Sequence, residues 1–217
     1  MKLHGVSDTE CENMTTSYNA DLYKKFLKPG SVVYDIGAWR GVLTRLFSLD
    51  DYYVVAFEGS PRNVPDLFRN THGYNYVEIH PVALHRREYS TRTRFNDCLG
   101  PEHPEQNINY VVLDDYIEKN DIPSPSLIKM DIEGMESVVL QGATNLLTKV
   151  RPCWQLSLHE NHKFSYSDYP SWQSKENGGF DFSTFFTLGY KVFDMNENEL
   201  SSIKGFGEFF IVPKELL

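Results

Sequence analysis

The chain has 217 residues, 41% of them hydrophobic, which suffices for one core and is too little for two comfortable domains, so a single domain over 1–217 is expected. A formal net charge of -9 argues against a protein whose main work is gripping nucleic-acid phosphates, which needs clustered Lys and Arg. Cys11, Cys98 and Cys153 fit neither a disulfide framework nor a CxxC metal site, and no stretch has the apolar length of a signal peptide or membrane span. A cytoplasmic protein with no membrane partner is expected.

Apolar residues Tyr18, Leu22, Phe26 and Leu27 predict an amphipathic helix over 15–28, ended by Pro29-Gly30, so that 1–30 forms a helical cover over the sheet. SVVYDIG reads as a buried strand, and Val42, Leu43, Leu46 and Phe47 as the apolar face of a helix. YYVVAFE is a second strand. Ser60-Pro61 offers the next helix an N-cap and a first-turn proline, with Pro65 expected to kink or delay it. YVEIHPVAL is a third strand. From 86 to 109 the chain is charged and turn-rich, which predicts a β-ribbon with an exposed loop.

SLIKMD is a fourth buried strand, followed by a helix with Met135, Val139, Gly142 and Leu146 on one face, and then by a fifth strand, CWQLSL. The aromatic segment 159–179 reads as a loop. A short helix near FDFSTFF and strands YKVFD and EFFIVP complete the chain. Alternation of strand and helix predicts an α/β fold with a mostly parallel sheet and helices on both faces. The last two strands, with no helix between them, predict an antiparallel hairpin at the sheet edge, which suggests a nucleotide-binding fold of the methyltransferase kind.

Ligands of open parallel sheets sit beyond the carboxyl ends of the strands. The first strand ends Asp35-Ile36-Gly37-Ala38-Trp39-Arg40-Gly41, where glycine permits a tight turn and close backbone approach; the loop fits GxxxG and not the GxGxxG of pyrophosphate cofactors. Glu58 ends the second strand about 20 residues on, where an acid can accept both hydroxyls of a ribose. Loop and acid together point to an adenosine cofactor, against the alternatives of a plain turn and a solvated glutamate.

In Ile128-Lys129-Met130-Asp131-Ile132-Glu133-Gly134-Met135-Glu136, period-two alternation puts Lys129 and Asp131 on one face, an ion pair in an otherwise apolar strand. Asp131 is a candidate catalytic acid or base. It is equally a candidate helix cap, with Glu133 and Glu136 complementing the helix dipole. His159 follows the fifth strand and falls beside Asp131 if the two strands are neighbours.

VYDIGAWRG, VVAFEGSP, LDDYI and above all LIKMDIEGMESVVLQGA resemble the FkbM-type methyltransferases, over about Ser31 to His159. The resemblance implies the class I methyltransferase (Rossmann-like) sheet, S-adenosyl-L-methionine as cofactor, and a hydroxyl of a sugar or secondary metabolite as acceptor. Asp35, Gly37, Ala38 and Gly41 would hold the methionine end, Glu58 the ribose, and Val82 and Ala83 the adenine. The bulky Trp39 and Arg40 depart from the small or polar residues usual there, and would narrow the cofactor mouth or reach toward the acceptor.

The expected chemistry is base-assisted O-methylation, with His159 as base and Asp131 or Glu133 orienting or replacing it. Lys129 belongs to the same candidate catalytic group. A second reading gives Asp131, Glu133 and His159 a divalent Mg or Mn ion that acidifies the acceptor hydroxyl. Phe164, Tyr166, Tyr169 and Trp172 make 159–179 a candidate lid over a sugar, or a self-packed surface loop. The expected partner is a small-molecule or glycan acceptor, with no nucleic acid. The rivals are a nicotinamide-dependent oxidoreductase, disfavoured by the missing GxGxxG, and a silent cofactor-binding module, which would need no polar cluster at Asp131, Glu133 and His159.

Overall fold

The computed structural model describes residues 2–93, 106–158, 180–204 and 207–217. Two short helices open the chain, α1 (Asp8–Ser17) and α2 (Ala20–Tyr23), where periodicity predicts one helix over 15–28. Two cap signals explain the break. Ser7 and Glu10 form a reciprocal capping box that starts α1 early, and extended Tyr18 lets the Asn19 side chain accept from the Leu22 N–H and cap α2.

The main sheet takes β1 (Val32–Ile36), β2 (Tyr53–Phe57), β3 (Val77–His80), β7 (Leu127–Met130), β8 (Cys153–Leu158), β9 (Tyr190–Asp194), β10 (Glu199–Leu200) and β11 (Gly207–Pro213), in the order β10-β9-β11-β8-β7-β1-β2-β3. From β3 to β8 every pairing is parallel. The final strand β11 runs antiparallel to both β8 and β9 and lies between them. The expected hairpin is therefore real but not peripheral: β11, with Phe210, Ile211 and Val212 buried, completes the core, and the two-residue β10 takes the edge.

Alternation assigns the two faces. Tyr34, Ile36, Val55, Phe57, Ile128, Met130 and Trp154 pack on one side, against α5 (Leu113–Lys119), α6 (Glu136–Leu140) and α7 (Ser183–Thr187). Val33, Val54, Leu127 and Phe210 face the other way, toward α2 and α3 (Val42–Leu49), whose Leu43 and Phe47 share that cluster. Ala56 meets Leu67 of α4 (Val64–Thr71). Helix α4 begins at Val64, with Pro65 in its first turn, instead of at Pro61.

Pro81 divides the expected third strand. β3 stops at His80, and β4 (Ala83–Leu84) joins a second sheet of order β4-β6-β5 with β5 (Tyr89–Thr93) and β6 (Gln106–Val111). β5 and β6 are the arms of the ribbon expected over 86–109; its tip lies outside the described residues. The single helix expected after β7 is two pieces, α6 and a π-helical turn at Leu146–Val150, separated at Gly142. A Cβ at Gly142 would stand 2.9 Å from Val112 Cγ1, so the close approach of the segment before α5 fixes glycine there.

Candidate functional site

The loop from Gly37 to Gly41 leaves β1 at its carboxyl end and enters α3, with Gly41 as the left-handed N-cap (φ 82°). Its first turn is tied to β2, since Gly37 and Ala38 both donate their N–H to the Phe57 carbonyl, at 3.0 and 3.1 Å. Gly37 (φ 78°) sits so close to the loop after β7 that a Cβ would lie 1.9 Å from the Asp131 carbonyl oxygen. Backbone on backbone cannot be relieved by a rotamer change. Gly37→Ala is therefore expected to lose at least about 3 kcal/mol of stability, the left-handed strain of ~1–2 kcal/mol included, and a urea midpoint equal to that of the wild type would contradict this packing.

Asp35, fully buried in β1, accepts from Thr44 Oγ1 at 2.6 Å and lies 3.3 Å from Lys129 Nζ. Lys129 also donates to the Gly37 carbonyl at 3.2 Å. The pair forms because Asp35 and Lys129 are register partners on the α3 face of β1 and β7. The ion pair of the β7 face is therefore with Asp35 rather than, as alternation within one strand suggests, with Asp131. Burial pulls the Lys129 ammonium toward its neutral form, but the charges of Asp35, Asp131 and Glu58 outweigh it and hold its pKa above the ordinary value.

Glu58 follows β2 and is 5% exposed. Its Oε2 accepts the Trp39 N–H at 2.7 Å; Oε1 accepts the Ser60 N–H at 2.8 Å and Asn63 Nδ2 at 3.3 Å. The carboxylate is thus fixed against the glycine loop, and an ionised carboxylate has about four acceptor positions, so Oε2 retains one for a ligand hydroxyl. Burial raises its pKa to about 7 in spite of these donors and of Lys129. The chemistry fits an adenosine cofactor: a fixed acid that can accept from a ribose hydroxyl, set across from a loop whose first turn only glycine can make.

The end of β7 differs from the expected cap. Asp131 is half-buried, and Glu133 (φ 55°) and Gly134 (φ 99°) are successive left-handed residues that turn the Ile132 and Gly134 N–H groups inward. Both donate to Oε1 of the fully buried Glu136, at 3.1 and 3.3 Å, while Met135 stands at the N-cap of α6. Glu136 is thus the acid that accepts these two loop amides. Asp131 is adjacent to the glycine loop through its own backbone, its N–H donating to Ile36 at 3.1 Å.

Trp39 does not narrow the mouth of the loop. Its ring packs with Leu3, Val6 and Val42, and the Arg40 guanidinium stacks on that ring at 5.3 Å while pairing with Asp66 at 3.7 Å. Val82 packs against the core on the Tyr34 side, and buried Ala83 is committed to β4, paired with Tyr110. His159 and the candidate lid 159–179 lie outside the described residues. Among the described residues no group of three His, Cys, Asp or Glu side chains is arranged to hold a metal ion, so nothing in them supports a cation at Asp131 and Glu133. Cys11 and Cys153 are free thiols. No helix among the described residues is long and apolar enough to cross a membrane.

Thr44 and Asn63 escape the sequence reading, and Glu136 enters it only as a complement to the helix dipole. Thr44 and Asn63 carry no spacing that would reveal them, whereas Glu136 stands two residues after a Glu-Gly pair whose turn needs an acceptor for its amides.

None of the curated proteins compared matches the chain. Among solved structures, a methyltransferase FkbM from Methylobacillus flagellatus KT superposes with a TM-score of 0.52 at 16% identity, over 93% of this chain and 52% of that one. The chain thus spans about half the length of that structure. A precorrin-6y C5,15-methyltransferase from Geobacter metallireducens GS-15 gives 0.47 at 13% identity over 88% and 84% of the two chains. Fibrillarin from Aeropyrum pernix, solved with natively bound S-adenosyl-L-methionine, gives 0.48 at 10% identity over 86% and 67%. At 16% identity, the superposition on the FkbM structure speaks for the fold alone, that of class I S-adenosylmethionine-dependent methyltransferases. The model of the Methyltransferase FkbM domain matches residues 34–182, from β1 through the strand-end loops to the approach of α7, and the chain therefore belongs to the FkbM methyltransferase family.

Proposed function

We propose that the protein is an S-adenosylmethionine-dependent O-methyltransferase whose acceptor is a hydroxyl of a small molecule or glycan, a sugar above all. The observation that carries this reading is the buried Glu58 carboxylate, held by the Trp39 and Ser60 amides against the Gly37–Gly41 loop, in a chain of this family. Glu58 takes the ribose; Asp35, Gly37, Ala38 and Gly41 line the methionine end; Val82 and Ala83 border the adenine. Bound there, the cofactor supplies a methyl group made electrophilic by its sulfonium.

The chain's own task is then to hold the acceptor oxygen about 3 Å from that methyl group and to take its proton. Asp131 follows β7, and His159 follows β8, the neighbouring parallel strand. His159 accepts the hydroxyl proton as the oxygen–carbon bond forms and the carbon–sulfur bond breaks, and Asp131 and Glu133 orient the imidazole or the acceptor. Lys129, committed to Asp35 and to the Gly37 carbonyl, supports the loop and does not meet the acceptor. The formal charge of -9 suits a small neutral acceptor better than a phosphate backbone.

Methyl-labelled S-adenosylmethionine incubated with the protein and a panel of free and nucleotide-linked sugars tests the reading, with products read by NMR. A new O-methyl resonance is expected, and His159→Ala is expected to lower kcat by about 10²–10⁴ with little change in cofactor affinity. Transfer to nitrogen or carbon, or wild-type turnover by His159→Ala, would overturn the acceptor or the base respectively.

A further inference from the structure

The segment before α1 is bound to the outside of the glycine loop. Asn70 of α4 is 2% exposed and spends its whole amide on this contact: Oδ1 accepts the His4 N–H at 2.7 Å, and Nδ2 donates to the His4 carbonyl at 3.0 Å and to the Arg40 carbonyl at 2.7 Å. One side chain therefore joins the N-terminal segment to the loop. Leu3 and Val6, 6% and 5% exposed, bury the ring of Trp39 against Val42. Gly5 (φ 67°) passes so close that a Cβ would stand 2.4 Å from Asp66 Oδ2 and 2.8 Å from Arg40 Nη1, so its lack of a side chain leaves room for the Arg40–Asp66 pair.

What this clasp holds is a strained residue. Trp39 has φ 49°, a left-handed conformation that crowds the Cβ of any non-glycine residue against its own backbone. That conformation aims its N–H at Glu58 Oε2, 2.7 Å away. Within the loop, the Gly41 N–H donates to the Ala38 carbonyl at 2.8 Å and closes the turn around Trp39. The half-buried indole and the Arg40 carbonyl, gripped on either side of the strained backbone, restrain it further from outside.

We propose that Leu3–Ser7 and Asn70 form a positioning device for the cofactor loop, with Asn70 a positioning residue that sets cofactor affinity through the backbone of Trp39 and Arg40 without touching the cofactor. This rests on the reading that Glu58 and the glycine loop hold S-adenosylmethionine. It accounts for a bulky residue at position 39: the indole is the handle by which the N-terminal segment grips the loop.

The test is a double-mutant cycle on Asn70→Ala and Trp39→Gly, read by calorimetric titration with S-adenosylmethionine and by hydrogen exchange of the Trp39 amide relative to the amides of β1. Asn70→Ala is expected to weaken binding about tenfold and to speed Trp39 exchange. In the Trp39→Gly background, where the left-handed conformation costs nothing, the same substitution is expected to change affinity less than about threefold. A merely structural Asn70 would lower the Tm without this coupling, and Tyr190→Phe, which loses the bond to Leu147 near the opposite edge of the sheet, serves as the destabilised control with unchanged affinity. Equal affinity of folded Asn70→Ala and wild type, or an equal loss in both backgrounds, overturns the proposal. If the wild type itself fails to bind, the cofactor reading fails, and the exchange arm still decides the clasp: unchanged Trp39 protection in Asn70→Ala overturns it.

Discussion

Lys129→Met is expected to destabilise the protein by about 3–5 kcal/mol, because it strands the Asp35 carboxylate, fully buried, with its hydrogen bond from the Thr44 hydroxyl but without its cation. The methionine fills much of the lysine's volume, so the loss is electrostatic and not a cavity effect. Asp35→Asn added to Lys129→Met is expected to recover roughly half of the loss, since no uncompensated charge then remains while Thr44 keeps an acceptor. Urea unfolding of the two variants measures this directly. A catalytic lysine would behave otherwise: Lys129→Met would retain stability and lose turnover, and that result would return Lys129 to the group acting on the acceptor.

Glu58→Ala is expected to weaken S-adenosylmethionine binding about 100-fold, from a lost hydrogen bond to a charged group worth ~1.5–3 kcal/mol and from the Trp39 and Ser60 amides left without their acceptor. The pH dependence is more specific. Burial lifts this carboxyl from 4.5 to about 7, so in the folded protein it keeps a proton that the unfolded chain has already released. With more protons bound in the native state, stability falls as pH rises from about 4.5 to about 7 and levels off above it. A ribose hydroxyl donates to the ionised form, so cofactor affinity should move the opposite way, rising by up to about tenfold per pH unit below 7, with one proton released on binding. Glu58→Gln is expected to flatten both curves. Titrations at pH 6 in buffers of different ionisation enthalpy check the released proton, and a pH-independent affinity between pH 5.5 and 8 would remove Glu58 from the ribose site.

The residues at strand ends were legible for a physical reason. Asp35, Gly37, Glu58 and Asp131 stand where a buried apolar run meets a turn, and the rule that open sheets bind ligands there needs only the strands to be recognised. The partner of Lys129 was not legible, because alternation within β7 names the face but not the neighbouring strand; Asp35 becomes its partner only through the register of β1 with β7. The position of β11 between β8 and β9 is likewise a matter of pairing across the chain, and two strands without a helix between them read alike whether they lie at the edge or inside it. Local bonds were hidden where side chains compete with the backbone: Asn19 caps α2 inside a continuous apolar stripe, and Glu136, read as a complement to the helix dipole, accepts the Ile132 and Gly134 amides directly. Trp39 was legible as an anomaly of type only, since its direction is set by Leu3 and Val6, more than thirty residues away in the chain.

In the proposed reading, the site formed by Glu58 and the Gly37–Gly41 loop holds an adenosylated sulfonium cofactor. Calorimetric titration of the wild-type protein with S-adenosylmethionine, S-adenosylhomocysteine and NAD, each repeated on Glu58→Ala, tests it most directly. Binding of both adenosyl ligands with Kd values on the order of micromolar, no binding of NAD, and loss of about 100-fold in Glu58→Ala is the predicted result. Binding of NAD alone, or of S-adenosylmethionine with equal strength in the wild type and Glu58→Ala, would contradict it.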